Sequence, residues 1–144
     1  MNTLSPTPLA PSKLKELFSA RDGFMRNLGI EVVELGLGTA KVSMIVGPEH
    51  LNFNQTCHGG AVFALADSAF GVSSNSHGVL AAGIDAHITY NAAPRVGDRL
   101  TATSREISRT RKIAVYKIDV EADAAGLVAT FTGTVYIIGH PHQD

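Results

Sequence analysis

The sequence has little of what several protein classes require. It carries one cysteine, Cys57, and no tryptophan in 144 residues. A lone thiol excludes an internal disulfide and suits a reducing compartment, so a cytoplasmic location is expected. Apolar runs are short, and none approaches the roughly 20 residues that cross a bilayer as a helix. The first residues hold no basic segment followed by an apolar one, so no secretory signal is expected. Charge imbalance is lacking too: 12 Lys+Arg against 13 Asp+Glu give a formal net charge of -1. That near balance argues against a partner dominated by nucleic-acid phosphates. The six histidines show neither an HExxH pattern nor tetrahedral-site spacing, so no metal is expected.

What is present points to a globular chain, with 44% hydrophobic and 17% charged residues. Its length fits one domain with a proper core. Residues 1–11 hold three prolines and little to bury, and are expected to form a loose arm before a single domain over 12–144. The organising stretch runs from Leu51 to Gly78. Within it Ala61 to Ala66 is uninterruptedly apolar and stops at a carboxylate, Asp67. Ala and Leu favour helix there, and the apolar residues are not confined to alternate positions. Phe63, Ala66, Phe70 and Ser74 fall on one line at helical spacing, with Asp67 beside it. A helix apolar nearly all round is expected to be buried, with Asn75 to Gly78 as its stop.

Before this helix, Ser12 reads as the N-cap of a short helix over Lys13 to Ala20. A connecting stretch ending at Gly29 follows it. Ile30–Leu35 and Thr39–Val46 read as a β-hairpin, the second strand alternating Ala40, Val42, Met44 and Val46 with polar residues. After the helix, strands are expected over Leu80–Asn91, Arg99–Ser108, Arg111–Glu121 and Leu127–Ile138, with an unstructured tail at His140 to His142. One apolar helix between strands suggests an α+β fold, an antiparallel sheet wrapped around that helix. Such a sheet leaves edge strands that a second chain can cover.

Three groups of residues carry a family resemblance. They are Leu51-Asn52; Cys57-His58-Gly59-Gly60; and Phe63-Ala64-Leu65-Ala66-Asp67-Ser68-Ala69-Phe70 with Asn75-Ser76-His77-Gly78. HGG alone is weak. Asn52 six positions before His58, with Asp67 seven after Gly60, is specific. The sequence resembles the hotdog-fold acyl-CoA thioesterases of the phenylacetic acid degradation (PaaI) group. The resemblance implies hydrolysis of phenylacetyl-CoA or its ring-hydroxylated forms, with coenzyme A as part of the substrate and no cofactor.

Thioester hydrolysis puts negative charge on the carbonyl oxygen, which backbone N–H groups at a helix N-terminus stabilise well. Gly59 and Gly60 let a substrate approach the backbone closely. By similarity, Gly59 supplies the oxyanion-type N–H, Asn52 orients the carbonyl or the water, and His58 lines the site. Asp67 then serves as nucleophile or general base. A mid-helix Asp is ordinarily a solvated face residue, but the apolar neighbours of Asp67 argue for burial and a raised pKa. Cys57 reads as a buried structural thiol rather than a nucleophile. Arg109, Arg111 and Lys112 stand at an expected strand–strand turn, where they meet either the nucleotide phosphates or only solvent. Asn75 and His77 are placed at the border of the acyl pocket. The Ala82-Gly83-Ile84-Asp85 stretch lacks the Ser that some family members carry there.

Gly59 and Asp67 lie eight residues apart, roughly 12 Å along one helix. One carbonyl group cannot touch both. The expected site is therefore shared, with Gly59 of one chain facing Asp67 of a two-fold partner. The resemblance implies the same: a dimer as the catalytic unit, paired into a homotetramer. Two other functions fit the fold, a hydratase or dehydratase and a non-catalytic acyl-CoA binder. The first wants a His working with the acid, and the second an attached output domain.

Overall fold

The computed structural model describes residues 7–144. Of the expected N-terminal arm, residues 1–6 lie outside the described residues. Pro8 packs at Gly78, and Pro11 opens the first helix, α1 (Pro11–Arg21). The expected Ser12 cap is corrected: Ala10 is the N-cap, extended at φ -68 and ψ 155, with no side-chain cap bond. Proline at the first helical position presets the required φ, so the helix starts two residues early without a polar cap.

A second short helix, α2 (Gly23–Leu28), stands where only a connecting stretch was expected. The Asp22 side chain caps it by accepting from Met25 N at 2.9 Å, and Gly29 closes it at φ 70. Strands β1 (Glu31–Gly36) and β2 (Thr39–Ile45) form the expected hairpin. A single 3-10 turn at Pro48–His50 leads to the loop before the central helix α3 (Gly59–Ser74). Strands β3 (Val79–Tyr90), β4 (Arg99–Arg109), β5 (Ile113–Ala122) and β6 (Gly126–Pro141) complete the chain.

All pairings are antiparallel, and the sheet order is β1-β2-β4-β5-β6-β3. The inward residues of β5, Ala114, Tyr116, Ile118 and Val120, are fully buried, as their alternation requires. They meet Val62, Leu65, Ala66, Ala69 and Phe70 of α3 in one core. Each such large side chain withdrawn from water contributes roughly 1.5–3 kcal/mol before chain entropy is charged against it. Phe70 seats its ring directly on Gly133 of β6, where a Cβ would lie 2.7 Å from the ring. A sheet wrapped around one long helix is the hotdog fold.

The burial of α3 is not uniform. Gly60, Phe63, Asp67, Gly71 and Asn75, spaced by three or four residues, form a stripe that the sheet does not fully cover. At the sheet margin, β3 pairs with β6 only among the described residues, and Leu80, Ile84 and Tyr90 along it are exposed. The tail expected to be unstructured is ordered by tertiary contacts. His142 N donates to Gly78 O at 2.9 Å, and Arg21 Nη1 donates to Gln143 O at 3.2 Å. Among the described residues, no helix is long and apolar enough to cross a membrane.

Candidate active site

The loop preceding α3 is shaped by its own polar side chains. Asn52 Oδ1 accepts from Asn54 N at 2.9 Å, Thr56 N at 3.2 Å and Thr56 Oγ1 at 3.3 Å. This is an Asx-type arrangement that folds residues 52–56 into a tight bend. The Asn52 oxygen is thereby committed to the loop, leaving its amide nitrogen as the group able to orient a carbonyl or water. His50, buried behind the loop, accepts from Gly47 N and donates to Leu28 O, anchoring the loop to α2.

His58 is the N-cap of α3: its Nδ1 accepts from Gly60 N at 2.8 Å. Its role is therefore to hold the helix start, and the Gly60 N–H is spent on that cap. Gly59 N–H differs, for it has no partner among the described residues. It is the first helical residue, so the helix dipole and an unspent donor coincide there. Tyr90, which sequence reasoning did not single out, donates its hydroxyl to Gly59 O at 3.1 Å and packs its ring over the Gly59 Cα. No motif spacing signals Tyr90, because it reaches the helix across the sheet from the end of β3.

Asp67 opens onto a cavity of about 550 Å³ between α3 and the two N-terminal helices. Phe18, Phe24, Gly71, Val72, Leu80 and His142 supply much of its wall. Here the expectation of a buried Asp67 is corrected: its residue surface is exposed in the single chain. Ala66, Ala69 and Phe70 turn to the sheet, while Asp67 turns to the uncovered stripe. The cavity walls still withdraw enough water from the carboxyl to raise its pKa, and the Asp22 carboxylate adds repulsion. The direction expected from the sequence holds, and its source is a walled cavity rather than the core.

Cys57 is buried, and burial first, then Asp98, pushes its thiol pKa up to about 11. A thiol so held is no thiolate nucleophile at neutral pH. Asn75 lines the cavity, but its amide is occupied. Nδ2 donates to Gly71 O and Ala81 O at 2.9 and 3.1 Å, while Oδ1 accepts from Ala81 N at 2.9 Å. Asn75 therefore locks the α3–β3 connection.

The expected cation cluster is split. Arg109 folds inward, with Nη1 3.5 Å from Glu106 Oε1. Lys112 donates to Tyr136 Oη at 3.2 Å and lies 5.5 Å from that ring's centre. Arg111 is exposed at the turn between β4 and β5. Glu106 also accepts from Tyr116 at 2.7 Å and from His77 at 2.9 Å. His77 follows the C-terminal end of α3, so Arg109 belongs to that end of the helix and Gly59 to the other. Burial pushes the Glu106 carboxyl up, but the bonds from Tyr116 and His77 and the charges of His77 and Arg109 outweigh it and hold the pKa low.

A helix N-terminus with a free N–H, and an acid raised in pKa at the wall of an apolar cavity, are the elements of acyl-transfer chemistry on a hotdog fold. The comparisons agree. The family model described as Thioesterase superfamily matches residues 54–129. A protein of Archaeoglobus fulgidus described as "Putative esterase" is 41% identical over 86% of this chain and 80% of its own length. The Escherichia coli acyl-coenzyme A thioesterase PaaI is 36% identical over 82% of this chain and 84% of its own. A solved structure of E. coli PaaI, from the phenylacetic acid degradation operon, superposes with a TM-score of 0.88 at 32% identity, covering 90% of this chain and 94% of that one. A hypothetical thioesterase of Streptococcus pneumoniae, solved with coenzyme A, gives a TM-score of 0.75 at 25% identity, covering 78% and 91%. The chain belongs to the thioesterase superfamily. Within it, this is a PaaI-type hotdog thioester hydrolase.

Proposed function

We propose that the protein hydrolyses aryl-acetyl thioesters of coenzyme A, phenylacetyl-CoA or its ring-hydroxylated forms, to the free acid and CoA in the cytoplasm. The observation that carries this reading is the cavity at Asp67. Phe18, Phe24, Val72 and Leu80 offer an aromatic acyl group an apolar slot with a carboxylate at its wall. The E. coli relative's operon and the coenzyme A bound to the pneumococcal relative support the same substrate class.

Asp67 takes a proton from water, whose oxygen attacks the thioester carbonyl, or it attacks that carbon itself. In either route the C–S bond breaks and the CoA thiolate leaves, taking up a proton; in the second, water then hydrolyses the mixed anhydride on Asp67, releasing the free acid and restoring the carboxylate. Negative charge on the carbonyl oxygen falls to a Gly59 N–H. Because Asp67 and Gly59 sit roughly 12 Å apart on one helix, the two groups at one thioester come from two chains. The uncovered stripe of α3 and the unpaired side of β3 give a second copy its contact surface, and pairs of dimers make a homotetramer. Arg111 at the β4–β5 turn is the cation available to the nucleotide phosphates, with Lys112 beside it.

The test is thiol release from a panel of acyl-CoAs by wild type and Asp67→Ala. Wild type is expected to prefer aryl-acetyl esters, and the variant to lose roughly 10²–10⁴ in kcat. Retained turnover in the variant rejects the role of Asp67, and a preference for straight-chain esters rejects the substrate. Solvent-oxygen labelling under single-turnover conditions separates the two routes.

A further inference from the structure

The C-terminal tail does more than close the fold. His142 is strapped across the cavity that Asp67 opens onto, its ring edge-on to Phe18 with centres 5.2 Å apart and its Nε2 2.9 Å from Asn75 Oδ1. The tautomer follows from the bonds around it. Asn75 is fixed in orientation by both backbone groups of Ala81, which receive its Nδ2 and donate to its Oδ1. Oδ1 is therefore an acceptor, and His142 Nε2 must carry the proton. That leaves Nδ1 as a lone pair, and it meets no donor among the described residues. Burial, then the neighbouring Arg21 charge, lower the His142 pKa, which keeps the ring neutral and the lone pair available at neutral pH.

The imidazole and the acid line one cavity, with His142 bonded at the Asn75 end of the uncovered stripe. Asp67, Gly71 and Asn75 succeed one another at four-residue steps along the uncovered stripe. Gly71, midway, has no side chain, and a Cβ built there would meet nothing within 4 Å. The floor between acid and imidazole is thus bare. Asp67 and Asn75 lie roughly 12 Å apart along the helix. Asn75, to which His142 is bonded, marks the far end of that floor, so an acyl group whose carbonyl is held at Asp67 turns its distal end toward the imidazole.

We propose that His142 is a specificity-determining residue whose Nδ1 accepts a hydrogen bond from a hydroxyl at the distal end of the acyl group, para on an arylacetyl ring. The proposal rests on the thioesterase reading above and sharpens it: the tail selects hydroxylated over unsubstituted esters.

The experiment compares para-hydroxyphenylacetyl-CoA with phenylacetyl-CoA on wild type, His142→Phe and His142→Gln. Phe keeps a ring against Phe18 and removes the acceptor. Gln keeps a donor for Asn75 and an acceptor for the hydroxyl. Phe is expected to lower kcat/KM for the hydroxylated ester by about five- to tenfold, with the unsubstituted ester within about twofold and Gln retaining most of the preference. Equal losses on both esters, or a wild type indifferent to the hydroxyl, overturn the proposal. Binding of the two free acids to the same proteins, followed by calorimetry, repeats the comparison without turnover. A chain that hydrolyses neither ester refutes the aryl-acetyl substrate proposed above, while the ratio of acid affinities still decides for or against His142. Melting curves report whether each variant is folded.

Discussion

Gly71 and Asp67, one helical turn apart, each oppose stability to function. A glycine inside a helix costs roughly 0.5–1 kcal/mol relative to alanine. Gly71→Ala meets no neighbour in the fold, so it is expected to raise the melting temperature. The added methyl intrudes on the floor of the acyl slot, and kcat/KM for aryl-acetyl esters should fall about tenfold while acetyl-CoA is spared. A stabilised variant with unchanged selectivity would show that the acyl group lies elsewhere. Asp67 follows the same logic through its charge. Its folded pKa is raised, so its stabilising contribution is complete below the usual carboxylate range and is lost as pH rises through the raised value. Asp67→Asn is therefore expected to melt higher than wild type at neutral pH, with the gap closing in acid, and to be inactive. The acid limb of wild-type kcat/KM should lie above the ordinary aspartate range. The raised pKa of Asp67 was legible from its apolar neighbours. Its exposure was not, because a sequence lists neighbours along a helix and does not say which face a sheet will cover.

Among the elements, α3 and the strand alternation of β5 were readable because each repeats one period over many residues. What escaped reading has no period of its own. Helix α2 spans six residues with only Met25 buried, and it exists through the Asp22 cap and the left-handed Gly29. The end of β6 and the tail are ordered by Gly78, Asn75 and Arg21, all far away in sequence. The junction of α3 with β4 and β5 was equally hidden, since Glu106, His77 and Tyr116 meet only after folding. Glu106 is held below its usual pKa there, so its contribution is present above the unfolded carboxylate pKa and disappears as pH falls through the lowered value. Glu106→Ala leaves the Tyr116 hydroxyl and His77 without their acceptor and Arg109 without its counter-charge, and should cost about 1–3 kcal/mol at neutral pH by denaturant unfolding. Glu106→Gln should cost less and flatten the acid limb of stability below the usual carboxylate range. An unchanged acid limb in Glu106→Gln would assign acid sensitivity to another group.

For the whole molecule, the separation of Gly59 and Asp67 yields a prediction that a lone chain cannot satisfy. Gly59→Pro deletes the N–H and adds a small ring. Proline is tolerated at the first helical position, and His58 before it is already extended at φ -60 and ψ 134, as a residue preceding proline must be. The contact that the ring must accommodate is Tyr90, 3.3 Å from a built Cβ, which can tilt at its exposed end. Gly59→Pro is expected to fold and to lose about 10²–10³ in kcat. Asp67→Asn is expected to be inactive through loss of the acid rather than of the N–H. If each site joins Asp67 of one chain to Gly59 of the other, a mixed dimer of the two variants has one site with both defects and one with neither. Equal amounts co-refolded give mixed dimers in half of the pairings, so activity should return to about a quarter of wild type. A site complete within one chain gives no recovery above the two parents, because every chain then carries a defect. The outcome does not depend on which acyl group is hydrolysed or on how dimers pair, so it isolates the two-chain geometry from every other part of the mechanism.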